Sequence, residues 1–274
     1  MKINTFLLIL LALLASCKEK PKENVKFQYI NQANNAEIAD NTIYYTVKII
    51  RQFPHNPEFY TQGLLYYDGF LYESTGGYGH SALYKIDLQS GKVITKTTVP
   101  NDKFAEGIAL WKNKIYQLTW QENTCYVYDA KSLKLERAYK YNGEGWGLAC
   151  DGERFIMSDG SYVLKHLNPQ DFSTTGTKQV HYLNGRQVYN INELELDDKG
   201  YLYANIWQED KIVKIDTASG KAVGIIDISP LREIVVRGGS PEVSNGIVFI
   251  PSSRTFILTG KYWHSYFEVE FEKK

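Results

Sequence analysis

Apolar and polar positions along this chain fall into short alternating runs, without the stripes of three-to-four-residue spacing that mark helices. A typical stretch, Gly63-Leu64-Leu65-Tyr66-Tyr67-Asp68-Gly69-Phe70-Leu71-Tyr72, is an apolar strand, a tight turn and a second strand. The pattern occurs five times: Gln62-Gly63-Leu64 to Tyr72, Glu106-Gly107-Ile108 to Tyr116, Trp146-Gly147-Leu148 to Ile156, Asn192-Glu193-Leu194 to Tyr203, and Asn245-Gly246-Ile247 to Ile257. Measured between second residues of the copies, the spacings are 44, 40, 46 and 53. A third strand follows in each copy, as at Ala82–Asp87, Cys125–Asp129 and Lys211–Asp216. A fourth comes after turns such as Ser90-Gly91-Lys92 and Ser219-Gly220-Lys221, in which the preceding Asp87, Asp129 and Asp216 read as turn residues. Four strands in ~40–50 residues is the period of a propeller blade, so the expected fold is all-β, a five-bladed β-propeller. The fifth copy has no fourth strand after Ser265–Val269, whereas Ile43–Ile50 is a strand without a copy of its own. The N-terminal strand is therefore expected to supply the outer strand of the last blade and close the ring without an open edge.

Composition narrows this picture rather than changing it. The 274 residues carry 31 basic and 31 acidic side chains, which gives no electrostatic reason to expect a nucleic-acid partner. With 21 Tyr, 12 Phe and 5 Trp the chain favours strands and argues against an all-α fold. Residues 1–16 read as a secretory signal, with Lys2, an apolar run from Phe6 to Leu14 and then small residues. The run ends in Leu14-Ala15-Ser16-Cys17, which resembles a bacterial lipobox and marks Cys17 for lipidation. Residues 17–42 are polar and form a tether, leaving 43–274 as the folded body. These features predict an exported bacterial lipoprotein of the cell envelope, in the periplasm or on the outer membrane, held to a membrane only by its lipid and acting as a monomer. In such a compartment Cys125 and Cys150 are either a disulfide or two unpaired thiols.

Repeat geometry places the candidate chemistry. The residues opening the first strands are Gln62, Glu106, Trp146, Asn192 and Asn245; those just past the second strands are Gly76, Trp120, Gly160, Trp207 and Lys261. All ten should meet at one mouth of the central channel. The core column Leu71, Ile115, Phe155, Leu202 and Phe256 is alike from copy to copy, but this column is not. Varied polar residues at a shared position mark either a site on a scaffold or a water-filled channel mouth. Nucleophile-elbow, P-loop, paired-cysteine and zincin patterns are missing, and the five His are scattered, which suits loop or surface positions. The Gly143–Gly147 run has no helix after it and so does not read as a dinucleotide site.

Taken in order, Tyr60-Thr61-Gln62-Gly63-Leu64, Ala105-Glu106-Gly107-Ile108, Leu118-Thr119-Trp120, Gly145-Trp146-Gly147-Leu148, Asn192-Glu193-Leu194-Glu195, Ala204-Asn205-Ile206-Trp207 and Thr259-Gly260-Lys261 resemble the plant and bacterial glutaminyl-peptide cyclotransferases, a five-bladed propeller family. The resemblance spans about residues 44–272, with Ser244 standing where the family pattern has Leu. It implies an acyltransferase (aminoacyltransferase) that converts N-terminal Gln of peptides or proteins to pyroglutamate with loss of ammonia, without metal or other cofactor. It further implies Glu106 as general acid/base. Gln62, Asn192 and Lys261 would orient the substrate carboxamide, and Trp120, Trp146 and Trp207 would wall the pocket. Lys261 could instead be a solvated counter-ion of Glu106, and each Trp could be loop packing. Two rival classes remain: a non-catalytic propeller lipoprotein that binds peptides or glycans, and a metal-dependent lactonase-type propeller. The second needs more carboxylates at the mouth than the single one expected there.

Overall fold

The computed structural model of the chain describes residues 42–274. The expected signal at 1–16, the lipidated Cys17 and the tether up to residue 41 lie outside the described residues. The first three repeats are separate four-stranded antiparallel sheets. The first comprises Thr61–Tyr67, Phe70–Thr75, Ala82–Asp87 and Lys92–Thr98; the second, Ala105–Trp111, Lys114–Thr119, Thr124–Asp129 and Leu135–Lys140. The third comprises Leu148–Cys150, Phe155–Met157, Val163–Leu167 and Thr174–Gln179. The fourth repeat, Ile191–Leu196, Tyr201–Ile206, Lys211–Asp216 and Lys221–Asp227, shares one larger sheet with Ser244–Ile250, Thr255–Gly260 and Ser265–Lys273 of the fifth.

The element that joins them is Ile43–Pro54. It runs antiparallel to Ser265–Lys273, from Tyr45 opposite Lys273 to Pro54 opposite Ser265. Its first residues also pair in parallel with the outer strand of the fourth repeat, Ile43 with Gly224 through Thr46 with Asp227. One strand thus covers two sheet edges that would otherwise display unpaired backbone. The parallel half has no signature in the sequence, because register against a neighbouring repeat is a tertiary property.

Local chemistry explains the hairpins. Asp68 and Gly69 both have positive φ (52° and 82°), as do Lys112 and Asn113 (47° and 61°), the conformation of two-residue turns that match strand twist. Asp87, Asp129 and Asp216 close the later turns by accepting both the backbone N–H and the hydroxyl of Ser90, Ser132 and Ser219.

The first strands of the repeats lie side by side in cyclic order, with that of the fifth also against that of the first. Five apolar clusters sit between consecutive repeats. Tyr72 and Leu83 pack with Ile115 and Tyr128; Tyr116 and Val127 with Phe155. Ile156 and Leu164 pack with Ile206; Tyr203 and Ile212 with Phe249 and Phe267. The last cluster joins Leu71 and Ile86 to Val248, Ile257 and Tyr266. The Tyr and Phe excess is spent mostly here, since each large ring buries enough surface to fill a wedge between twisted sheets.

Three local expectations need correcting or completing. The helix Ser229–Val236 was not expected; Pro230 in its first turn and buried Leu231 and Val235 account for it, and it absorbs the longest repeat spacing. His55 is no surface residue: its side chain is fully buried, with Nε2 3.1 Å from Glu73 Oε1 and Nδ1 3.1 Å from Thr259 Oγ1. Glu73 also accepts hydroxyl bonds from Thr61 and Tyr266, so a buried polar cluster accompanies the hydrophobic one where the first and fifth repeats meet. Cys125 and Cys150 are free thiols, and burial pushes the Cys150 thiol up to about 11.

Candidate active site

The ends of the first strands are irregular in a way that builds a site. Pairing with the second strand runs Thr61 to Thr75 and then Gly63 to Ser74, which leaves Gln62 as an extra residue. The same slip leaves Glu106-Gly107, Asn192-Glu193 and Asn245-Gly246 each opposite a single residue. A β-bulge of this kind re-aims the side chain it contains. In the third repeat the regular strand begins only at Leu148, so Trp146 stands just before it.

Close approach explains the residue after each bulge. A Cβ on Gly147 would lie 2.1 Å from the Asn192 carbonyl oxygen, because neighbouring first strands meet backbone to backbone. Glu193 alone takes this position with a side chain. Its carboxylate accepts the backbone N–H of Leu64 (3.2 Å) and of Ile247 (2.8 Å), linking the fourth repeat to the first and fifth.

Glu106 is 5% exposed, and its Oε1 accepts a bond of 3.0 Å from Gln62 Nε2. Gln62 Oε1 in turn accepts 3.1 Å from Asn245 Nδ2, which also donates to the Thr61 carbonyl. This chain of amides fixes one edge of the carboxyl group. Burial pushes the Glu106 carboxyl well above the usual carboxylate range; Lys261 pulls it back, and the charges of Glu144 and Glu122 push it further up. Lys261 is 3% exposed, so it is not a solvated counter-ion, and its ammonium lies 4.3 Å from the centre of the Tyr60 ring. Burial brings it down to about 8, against the pull of Glu106 and Glu242. Asn192 is buried, and its Oδ1 has no hydrogen-bond partner among the described residues.

An aromatic wall surrounds these groups. Trp146 meets Trp207 edge to face at 5.6 Å, Trp120 meets Phe104 at 5.9 Å, and Phe104 meets Tyr60 at 6.0 Å. The glycines of the second-strand column are spaces for these rings: a Cβ on Gly160 would lie 2.6 Å from the Trp146 ring, and one on Gly76 would lie 2.2 Å from that of Phe104. Both exposed-edge indoles are tied to one carboxylate, with Trp120 Nε1 2.8 Å and Trp146 Nε1 2.9 Å from Glu144 Oε2. Among the described residues no three His, Cys, Asp or Glu side chains converge as a metal-binding group.

The profile of the glutamine cyclotransferase family matches residues 20–271. The chain belongs to this family. A glutaminyl-peptide cyclotransferase of Arabidopsis thaliana is 36% identical over 231 residues, which is 83% of this chain and 72% of the plant protein. The crystal structure of the Myxococcus xanthus glutaminyl cyclase superposes with a TM-score of 0.80 at 36% identity, covering 85% of this chain and 99% of that one.

Apart from Asn192, the residues singled out by sequence in this member of the family fall into two groups. Gln62, Glu106 and Asn245 form one hydrogen-bonded line, with Lys261 close enough to act on Glu106. Trp120, Trp146 and Trp207 form the wall. Sequence reasoning passed over Tyr60, Phe104 and Glu144, so the mouth holds more than one carboxylate. Tyr60 and Phe104 each stand two residues before a bulge residue, Gln62 and Glu106, a periodicity that could have exposed them. Glu144 lies in a loop two residues before Trp146, but nothing in its neighbours announces that the distant Trp120 shares the same oxygen.

Proposed function

We propose that this chain is a metal-independent aminoacyltransferase that cyclises N-terminal Gln of peptides and proteins to pyroglutamate, with Glu106 as its proton-transfer group. The cyclisation itself rests on membership of the glutamine cyclotransferase family. The observation that carries the mechanism is a buried carboxyl, held on one oxygen by Gln62 and pushed upward by burial, beside a buried lysine. In the reaction the substrate α-nitrogen attacks its own γ-carboxamide carbon, the new C–N bond closes a five-membered lactam, and the old C–N bond breaks. The proton lost by the attacking amine goes to the departing nitrogen, so ammonia leaves and the electron count is unchanged. Glu106 takes and returns that proton through the carboxyl oxygen Gln62 does not hold, and burial, by raising its pKa, makes its carboxylate a stronger base than an exposed one. No protein nucleophile is required, because the nucleophile belongs to the substrate.

The other groups bind. Lys261 offsets negative charge on the carboxamide oxygen, Asn192 Oδ1 accepts an N–H of the substrate, and Trp120, Trp146 and Trp207 enclose the ring as it closes. The scaffold is read as five blades, with Ile43–Pro54 as the outer strand that closes the ring. The body acts as a monomer tethered by lipid at Cys17 in a bacterial cell envelope. No helix among the described residues is long and apolar enough to cross a membrane.

The test is ammonia release from a Gln-initiated peptide by the purified protein, with and without chelator. One ammonia per pyroglutamyl peptide, unaffected by chelator, is the expected result. Loss of activity on chelation would remove the metal-free mechanism, and an inactive protein that still binds the peptide would favour the binding-module alternative.

The Lys261 assignment has its own pH signature. The substrate amine, with an ordinary pKa of about 7.7–8.0, must be neutral to attack, so the rate rises with pH on the acid side. Lys261 is charged below about 8 and neutral above it, so stabilisation of the oxyanion is lost as pH rises further. Lys261→Arg keeps its charge and is expected to move the alkaline limb upward by a unit or more. An alkaline limb left in place would show that Lys261 does not set it.

A further inference from the structure

We infer that Glu144 is a positioning residue that clamps the substrate-binding wall across two repeats. Trp120 follows the second strand of the second repeat, and Trp146 precedes the first strand of the third. Their indole N–H groups converge on a single oxygen, Glu144 Oε2, at 2.8 and 2.9 Å. The other oxygen, Oε1, accepts 2.9 Å from Gln121 Nε2, so three donors hold this carboxylate in one orientation. Its backbone neighbourhood is anchored as well: Gly145 N–H donates to the Trp120 carbonyl at 3.0 Å, and Trp146 N–H to the Ser158 carbonyl at 2.9 Å.

Bonds from neutral donors to a carboxylate are roughly twice as strong as neutral pairs, and they fix direction as well as distance. An indole has two rotatable side-chain bonds, and packing alone permits it to swing where one face is open. Trp120 and Trp146 are only partly buried, which is the condition under which such a restraint matters. The restraint propagates, since Trp146 carries Trp207 edge to face and Trp120 carries Phe104. One side chain that touches neither Gln62 nor Lys261 in the bonds formed thereby sets four rings of the wall. Its charge also reaches Glu106, where it favours the protonated form.

This inference rests on the reading of the mouth as the glutaminyl pocket, and two variants separate the two. Glu144→Ala removes the shared acceptor. Glu144→Gln keeps one oxygen for both indoles, with the exposed Gln121 amide free to turn and accept from the new amide. In Glu144→Ala, kcat/KM for a Gln-initiated peptide is expected to fall about 10- to 100-fold, mainly through KM, as expected for lost bonds to a charged acceptor. The intrinsic tryptophan emission, recorded without substrate, should shift to the red as the indoles meet water. Glu144→Gln should restore the emission and bring KM back to within about threefold of wild type. Unchanged emission and KM in Glu144→Ala would overturn the clamp, as would a Glu144→Gln variant no better than the alanine one. The emission readout needs no turnover, so it stands or falls independently of the role given to Glu106.

Discussion

Glu106→Gln should lower kcat for pyroglutamate formation by about 10²- to 10⁴-fold, the usual worth of a positioned general acid/base. KM should move only a few-fold, because the new side chain keeps an oxygen for Gln62 Nε2 and the same shape in the mouth. The change removes a titratable carboxyl from a buried position, so the melting temperature should hold or rise slightly. Steady-state kinetics with a Gln-initiated peptide and a thermal melt on the same sample check both halves. Activity within tenfold of wild type in a folded Glu106→Gln protein would remove the proton-transfer role. The loss is expected to persist across the whole pH range, since no amide titrates in it.

Glu193→Ala is expected to be the most damaging single substitution to the scaffold. It leaves the backbone N–H groups of Leu64 and Ile247 without the carboxylate they share. A buried donor left unpaired costs about 1–3 kcal/mol, so the two together cost roughly 2–6 kcal/mol. For a folded body of this size that corresponds to a melting temperature lower by roughly 5–20 °C. Glu193→Gln can satisfy only one of the two donors with its single amide oxygen and should fall between alanine and wild type. A melt of Glu193→Ala within about 2 °C of wild type would show that these N–H groups find other partners. Glu195 makes a related bond to Phe249 N–H at 2.9 Å, so the fourth repeat holds the fifth at two levels.

Much of this molecule could be read from the alternation of apolar residues, because a strand buried on both faces of a twisted sheet must repeat its pattern wherever the sheet repeats. The column Leu71, Ile115, Phe155, Leu202 and Phe256 is buried at all five positions. Glu106, Gln62 and Asn245 were legible for the opposite reason: they are polar where a core residue would do, and a bulge there gives the polar group somewhere to point. What escaped was pairing at long range. His55 and Glu73 meet only after the N-terminal strand and the fifth repeat have docked, and neither side chain's neighbours suggest burial. The role of Glu144 was hidden in part likewise, since it joins its sequence neighbour Trp146 to Trp120 of the preceding repeat. The parallel contact of Ile43–Thr46 depends on how two repeats are spaced, which no single repeat encodes.

The partnership of Ile43–Pro54 with Ser265–Lys273 also sets an order of events during synthesis. Lys48 and Glu270 bond across a sequence separation of 222 residues, so the first described strand to be made finds this partner among the last. Each repeat can collapse on its own local hairpins as it appears, but this strand has to wait with its backbone unpaired. Loop closure over such a distance carries a large entropy cost and places the step among slow, non-local pairings. Folding of the body is therefore expected to end in one late docking event once Ser265–Lys273 has been made, and the interval before it is when edge-to-edge association between chains competes. A refolding experiment should show early burial of tryptophan in the middle repeats and a slower final phase. The slow phase should lengthen when the Ile43–Pro54 strand is weakened.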